Sequence, residues 1–149
     1  MDITANGVNG ILTAQDWSFP VPIMYGPGRL NEIGDQCILL GVINPLIVTD
    51  RGSHALPFVK NLKDYLTKAG LKSSLFFDIS PNPKDHEIGA GRKAFISGEH
   101  DAVIAIGGGS AMDGGKSICL TARNDIDLWD FEYEPVSYTH LTLPTISSV

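Results

Sequence analysis

The chain has 149 residues, 43% of them hydrophobic and 19% charged, enough apolar material for one core and one compact domain. A net charge of −6 with scattered lysines and arginines argues against a nucleic-acid surface, and no apolar run approaches the length of a membrane-spanning helix. Cys37 and Cys119 stand far apart, without a C-x-x-C pair or a histidine at metal-ligand spacing, and the first residues lack the basic start of a signal peptide, so buried thiols in a cytoplasmic protein are expected.

Phe19, Val21, Ile23 and Tyr25 alternate with other residues as an early strand that Gly26-Pro27-Gly28 ends. Leu30, Ile33, Cys37 and Leu40 then recur at helical spacing until Gly41. Leu46 to Thr49 make the next strand. Val59, Leu62, Leu66 and Ala69 form a helix face that opens near Pro57 and stops at Gly70. Leu75 to Phe77 are a short third strand, and Ile88, Ala94 and Phe95 mark a helix before Gly98. Strand and helix alternate, which predicts an α/β fold with a doubly wound, mostly parallel sheet and a ligand beyond the carboxyl ends of its strands.

The next segment carries the chemistry. Ala102-Val-Ile-Ala-Ile106 has the composition of a strand buried on both faces, and it runs into Gly107-Gly-Gly109-Ser110-Ala-Met-Asp113-Gly-Gly-Lys116. Three glycines remove every Cβ where phosphates could approach backbone amides, and the helix that follows turns its unpaired N–H groups and positive dipole end toward them. Ser110 and Asp113 have capping-box spacing, which explains those two residues but not three glycines in a row. Two better-known motifs fail here. The dinucleotide fingerprint G-x-G-x-x-G requires glycine where Met112 stands, and a Walker A loop ending on Gly115, Lys116 and Ser117 requires glycine at Ser110.

Four words in order, Tyr25-Gly-Pro-Gly28-Arg-Leu30, Leu46-Ile-Val-Thr-Asp50, Pro81-Asn82-Pro83 and Ala105-Ile-Gly-Gly-Gly-Ser-Ala-Met-Asp-Gly-Gly-Lys116, resemble the iron-containing (group III) alcohol dehydrogenase family from about Phe19 to Glu132. The resemblance implies the Rossmann-like half of a dehydroquinate synthase-like fold. A helical domain holding Fe²⁺ or another divalent metal would follow it, and the metal ligands lie outside these 149 residues. It further implies hydride transfer between NAD(H) and a small alcohol or aldehyde, in a protein that is a homo-oligomer at full length. Gly107, Gly108, Gly109, Ser110 and Asp113 become coenzyme-binding candidates, and Asn82 a nucleotide contact in its stiff proline loop. Asp50 would accept hydrogen bonds from a ribose diol and repel a 2′-phosphate, so that Asp50→Gly erodes an NAD preference. Ordinary turn chemistry in Asp50-Arg51-Gly52-Ser53 would account for the same residue.

No catalytic residue or metal ligand is assigned. Lys116 reads as a solvated helix lysine, His54, His86 and His100 show no spacing that holds a metal, and Trp17 and Trp129 read as packing residues. Dehydroquinate synthase-like or glycerol dehydrogenase-like chemistry, or a non-catalytic nucleotide-binding module, are the alternatives. From Val136 the chain reads Val-Ser-Tyr-Thr-His-Leu-Thr-Leu-Pro-Thr, which resembles a translated sequencing adapter. Residues 1–135 are therefore read as the dinucleotide-binding domain and 136–149 as a non-native tail, against a strand-prone natural tail as the competing reading.

Overall fold

A computed structural model of the chain describes residues 15–19, 21–124, 128–131 and 145–147. Four strands, β3 (Pro45–Val48), β4 (Ser74–Phe76), β5 (Ala102–Ala105) and β6 (Thr145–Ser147), form one parallel sheet in the order β4-β3-β5-β6. Four helices accompany it: α1 (Ile33–Leu39), α2 (Pro57–Lys68), α3 (Asp85–Ser97) and α4 (Gly109–Ala122).

Side-chain alternation along the two central strands divides the core in two. Leu46, Val48 and Val103 face one side, where Ile88 and Phe95 of α3 and Ile118, Cys119 and Ala122 of α4 cover them. Ile47 and Ile104 face the other, packed against Ile33 and Cys37 of α1 and Val59, Leu62 and Leu66 of α2. Every residue of β3 and β5 is buried, as expected of strands sandwiched between helices.

The chain leaves β3 through α2 to reach β4, then returns through α3 on the opposite face to reach β5 on the other side of β3. The direction of winding therefore reverses between β3 and β5. In open α/β sheets the carboxyl ends of two such strands frame the ligand crevice. At the amino ends, Asp101 accepts the N–H groups of Ile43 and Asn44 at 2.7 and 3.0 Å, and His100 Nδ1 lies 2.9 Å from the Asn44 carbonyl oxygen, so a polar clasp fixes the register of β3 against β5.

Helix boundaries follow the local signals. Pro57 opens α2 at its first position, and Gly41 and Gly70, both at positive φ, stop α1 and α2. The early strand is different. It is a hairpin of β1 (Gln15–Phe19) and β2 (Val21–Tyr25), antiparallel with Phe19 opposite Val21, and β2 is exposed along its whole length. Alternation over 19–25 therefore spans a chain reversal, because paired antiparallel strands keep the same two-residue period on either side of their connection. Leu40 lies past the end of α1 and is exposed, and Phe77 falls just beyond β4. β6 lies within the stretch read above as a tail.

Candidate functional site

Two loops meet at the carboxyl ends of β3 and β5. Gly107 stands at φ 137°, which a side chain would strain. A Cβ there would also lie 2.9 Å from Ala111 Cβ, 3.0 Å from Asp50 Oδ2 and 3.4 Å from Thr49 Oγ1. Asp50 and the glycine turn, separated in sequence, are thus in direct apposition, and no side chain fits between them.

Gly108 and Gly109 contrast with Gly107. A Cβ at either would meet nothing within 4 Å, so both backbones border open space. Gly108 is the N-cap of α4 and has no side-chain cap bond, and the Met112 N–H donates to its carbonyl oxygen at 3.1 Å. The amides ahead of Met112 have no intrahelical acceptor, as in the first turn of any helix. They face the open side of the glycine turn with the positive end of the helix dipole behind them, a ready anion site.

Thr49 adds an independent sign of a ligand. It is fully buried at the end of β3, and its Oγ1 has no hydrogen-bond partner. An orphaned hydroxyl of this kind costs about 1–3 kcal/mol unless something outside the chain satisfies it. The glycine turn lies beside it.

The capping expectation is corrected. α4 begins at Gly109, so Ser110 is already its second residue, and its hydroxyl donates to the Pro81 carbonyl oxygen at 2.6 Å. Ser110 fastens the Pro81-Asn82-Pro83 loop to the first turn of α4. Asn82 is exposed, and its backbone carbonyl lies 2.8 Å from the Ser80 hydroxyl, whose one proton it shares with Glu87. Asp113 is exposed one turn into α4, as is Lys116 farther along.

Asp50 serves its own loop as well as bordering the site. Its Oδ1 accepts the N–H groups of Gly52 and Ser53, both at 2.9 Å, and its Oδ2 accepts the Ser53 hydroxyl at 2.8 Å. The turn chemistry and the apposition to Gly107 are therefore both present. A carboxylate has about four acceptor positions, so one remains on the Oδ2 side nearest the glycine turn.

Sequence reading overlooked a buried carboxylate that organises this rim. Glu87, in the first turn of α3, is 2% exposed. Its Oε2 accepts the Lys84 N–H at 3.0 Å, the Ser80 N–H at 3.2 Å and the Ser80 hydroxyl at 2.9 Å, while its Oε1 pairs with Arg51 Nη2 at 2.9 Å. Burial alone would raise its pKa, but the Lys84 and Ser80 amides, the Ser80 hydroxyl and the Arg51 charge together hold it down at about 2. Arg51 also donates from Nε to Asp78 Oδ1 at 2.6 Å. The only sequence signal was an acidic residue three positions after Lys84, the back half of a capping box.

His54 and His100 have local roles: His54 stacks on Phe77 with centroids 4.4 Å apart, and His100 belongs to the clasp at the amino ends of the strands. Trp129 corrects the packing expectation, being 64% exposed while Leu128 packs on the core. The Trp17 side chain lies outside the described residues. Among those residues no group of three His, Cys, Asp or Glu is placed to hold a metal ion, and no helix is long and apolar enough to cross a membrane.

Comparison with known proteins agrees with this geometry. The chain is 33% identical to 1,3-propanediol dehydrogenase of Klebsiella pneumoniae over 136 residues, covering 90% of this chain and 35% of that protein. A crystal structure of 1,3-propanediol oxidoreductase superposes with a TM-score of 0.75 at 32% identity, over 82% of this chain and 32% of the other. Sulfoacetaldehyde reductase from Bifidobacterium kashiwanohense, solved in complex with NAD⁺, gives 0.71 at 29% identity over 82% of this chain and 32% of its own. The chain thus spans about a third of the length of these relatives. The family profile for iron-containing alcohol dehydrogenase matches residues 20–149, and with the parallel sheet and the glycine turn at its switch point, the chain belongs to the iron-containing alcohol dehydrogenase family.

Proposed function

We propose that this chain is the coenzyme-binding part of a metal-dependent oxidoreductase that moves hydride between NAD(H) and a small alcohol or aldehyde. The observation that carries the reading is the side-chain-free turn at 107–109, opening α4 beside Asp50 and the orphaned Thr49 hydroxyl. Gly108, Gly109 and Ser110 offer amide N–H groups to the diphosphate, and Thr49 offers a hydroxyl proton. Asp50 accepts from a ribose hydroxyl. Ser110 and Asn82 keep the proline loop against the nucleotide, and Asp113 borders the same turn of α4.

When bound, the nicotinamide supplies the hydride-accepting and hydride-donating chemistry. The metal expected of the family is Fe²⁺ or another divalent ion. The described residues do not fit it, since they contain no suitable ligand cluster, and it has no part in the steps assigned to them. Reduction of sulfoacetaldehyde and oxidation of propanediol, as the relatives are named, support a small alcohol or aldehyde as substrate. Buried thiols at Cys37 and Cys119, neither of them in a disulfide, support a cytoplasmic setting, and exposed Ile38, Leu39 and Leu40 offer apolar surface for a homo-oligomer.

Titration of the chain with NADH, followed by calorimetry or nucleotide fluorescence, tests the reading. Gly108→Val puts a branched side chain into the open space over the turn without touching the core, so its melting temperature should stay near that of the unsubstituted chain. Its NADH affinity should fall by about tenfold or more, the loss of one charge-assisted contact. Equal NADH uptake by the two proteins would overturn the assignment.

A further inference from the structure

Asp50 and Arg51 are consecutive, yet their side chains serve opposite neighbours. Asp50 stands against the glycine turn. The Arg51 N–H donates to the Ile79 carbonyl oxygen at 3.0 Å, and the guanidinium is drawn to the same loop by Asp78 at 2.6 Å and Glu87 at 2.9 Å. A guanidinium is permanently charged and presents a planar fork of donors suited to phosphate, and an arginine near the ribose is a common way for nucleotide-binding folds to accept a 2′-phosphate. Arg51 has the sequence position for that task. Its Nε and Nη2 are instead bound to Asp78 and Glu87.

We infer that Asp78 and Glu87 help set coenzyme choice by holding Arg51 away from the ribose rim, so that the site takes the dinucleotide lacking a 2′-phosphate. The inference rests on the coenzyme reading above and deepens it. Two carboxylates, Asp78 and Glu87, neutralise this single guanidinium, and the Asp50 carboxylate beside the glycine turn repels a further phosphate dianion. The two holding carboxylates contribute differently. Asp78 is 60% exposed, and an exposed pair alone is a weak tether. Glu87 is buried and is itself fixed by three further donors, so it pins Nη2, while Asp78 alone holds the Nε edge and sets the direction of the fork, which without Asp78 swings about that pin toward the rim.

The test is a pair of titrations, NADH and NADPH, on the chain and on Asp78→Asn, Arg51→Leu and the double variant. Asp78 is exposed and touches no part of the glycine turn, so Asp78→Asn keeps the fold and the NADH affinity. Its NADPH affinity should rise about tenfold, the worth of one charge-assisted contact, and Arg51→Leu added to it should abolish the gain. An NADPH-to-NADH affinity ratio that stays unchanged in Asp78→Asn overturns the inference. So does a gain that survives Arg51→Leu, since the freed guanidinium would then not be its source. Failure of the unsubstituted chain to take up NADH is a different result, and it overturns the coenzyme reading beneath.

Discussion

At the residue scale, Glu87 has the most measurable consequence. Its pKa in the folded protein is about 2, against an ordinary value of 4.5. A lowered folded-state pKa means that the stabilisation is complete above the unfolded value and is lost as the pH falls from 4.5 toward 2, where the unfolded chain takes up its proton first. Melting temperatures measured across that interval should therefore fall, and Glu87→Gln should flatten part of the decline. At neutral pH the same variant should cost about 1–3 kcal/mol, because a buried carboxylate with four donors becomes an amide with only one acceptor oxygen. Cys37 shifts the other way because no donors offset its burial: desolvation first, and then the Asp101 charge, push its thiol up to about 11.

The fit of α4 against the sheet decides where the glycine turn sits. A Cβ at Gly115 would lie 2.5 Å from Ala105 Cβ on β5, and one at Gly114 would crowd the Ile79 side chain at 3.0 Å. These glycines let the helix lie close enough to β5 for its first turn to continue directly from the strand. Gly115→Ala should destabilise the chain by about 1–3 kcal/mol despite alanine's better helix propensity, as an overpacked contact does. Gly89 on α3 is the control. A Cβ there meets nothing within 4 Å, so Gly89→Ala should be neutral or stabilising by about 0.5–1 kcal/mol. Urea midpoints of the two variants make the comparison.

On the scale of the whole molecule, the reversal of winding between β3 and β5 sends the α2 and α3 crossovers to opposite faces and brings the Asp50 loop and the glycine turn to one edge of the sheet. We further propose that 136–149 is a non-native tail and that the native reading frame diverges at codon 136. Thr145–Ser147 does pair with β5, and the family match runs to residue 149. An exposed sheet edge accepts short β-prone segments readily, so the pairing itself is compatible with either origin. Resequencing the source locus checks it, and an uninterrupted native frame through residue 149 overturns the proposal.

Apolar spacing gave the helices up to Phe95 and apolar composition the buried strand at 102–106, because both report which faces of an element are covered. The glycine turn was equally legible, since three adjacent residues without side chains have few structural uses. Contacts between segments were not. That Ser110 reaches Pro81, that Thr49 is left without a partner, and that Arg51 pairs with Glu87 depend on which loops the sheet topology brings together. Local sequence encodes the conformation of each loop, whereas the partner of a polar group is chosen only when the strands have been ordered and the loops share one edge.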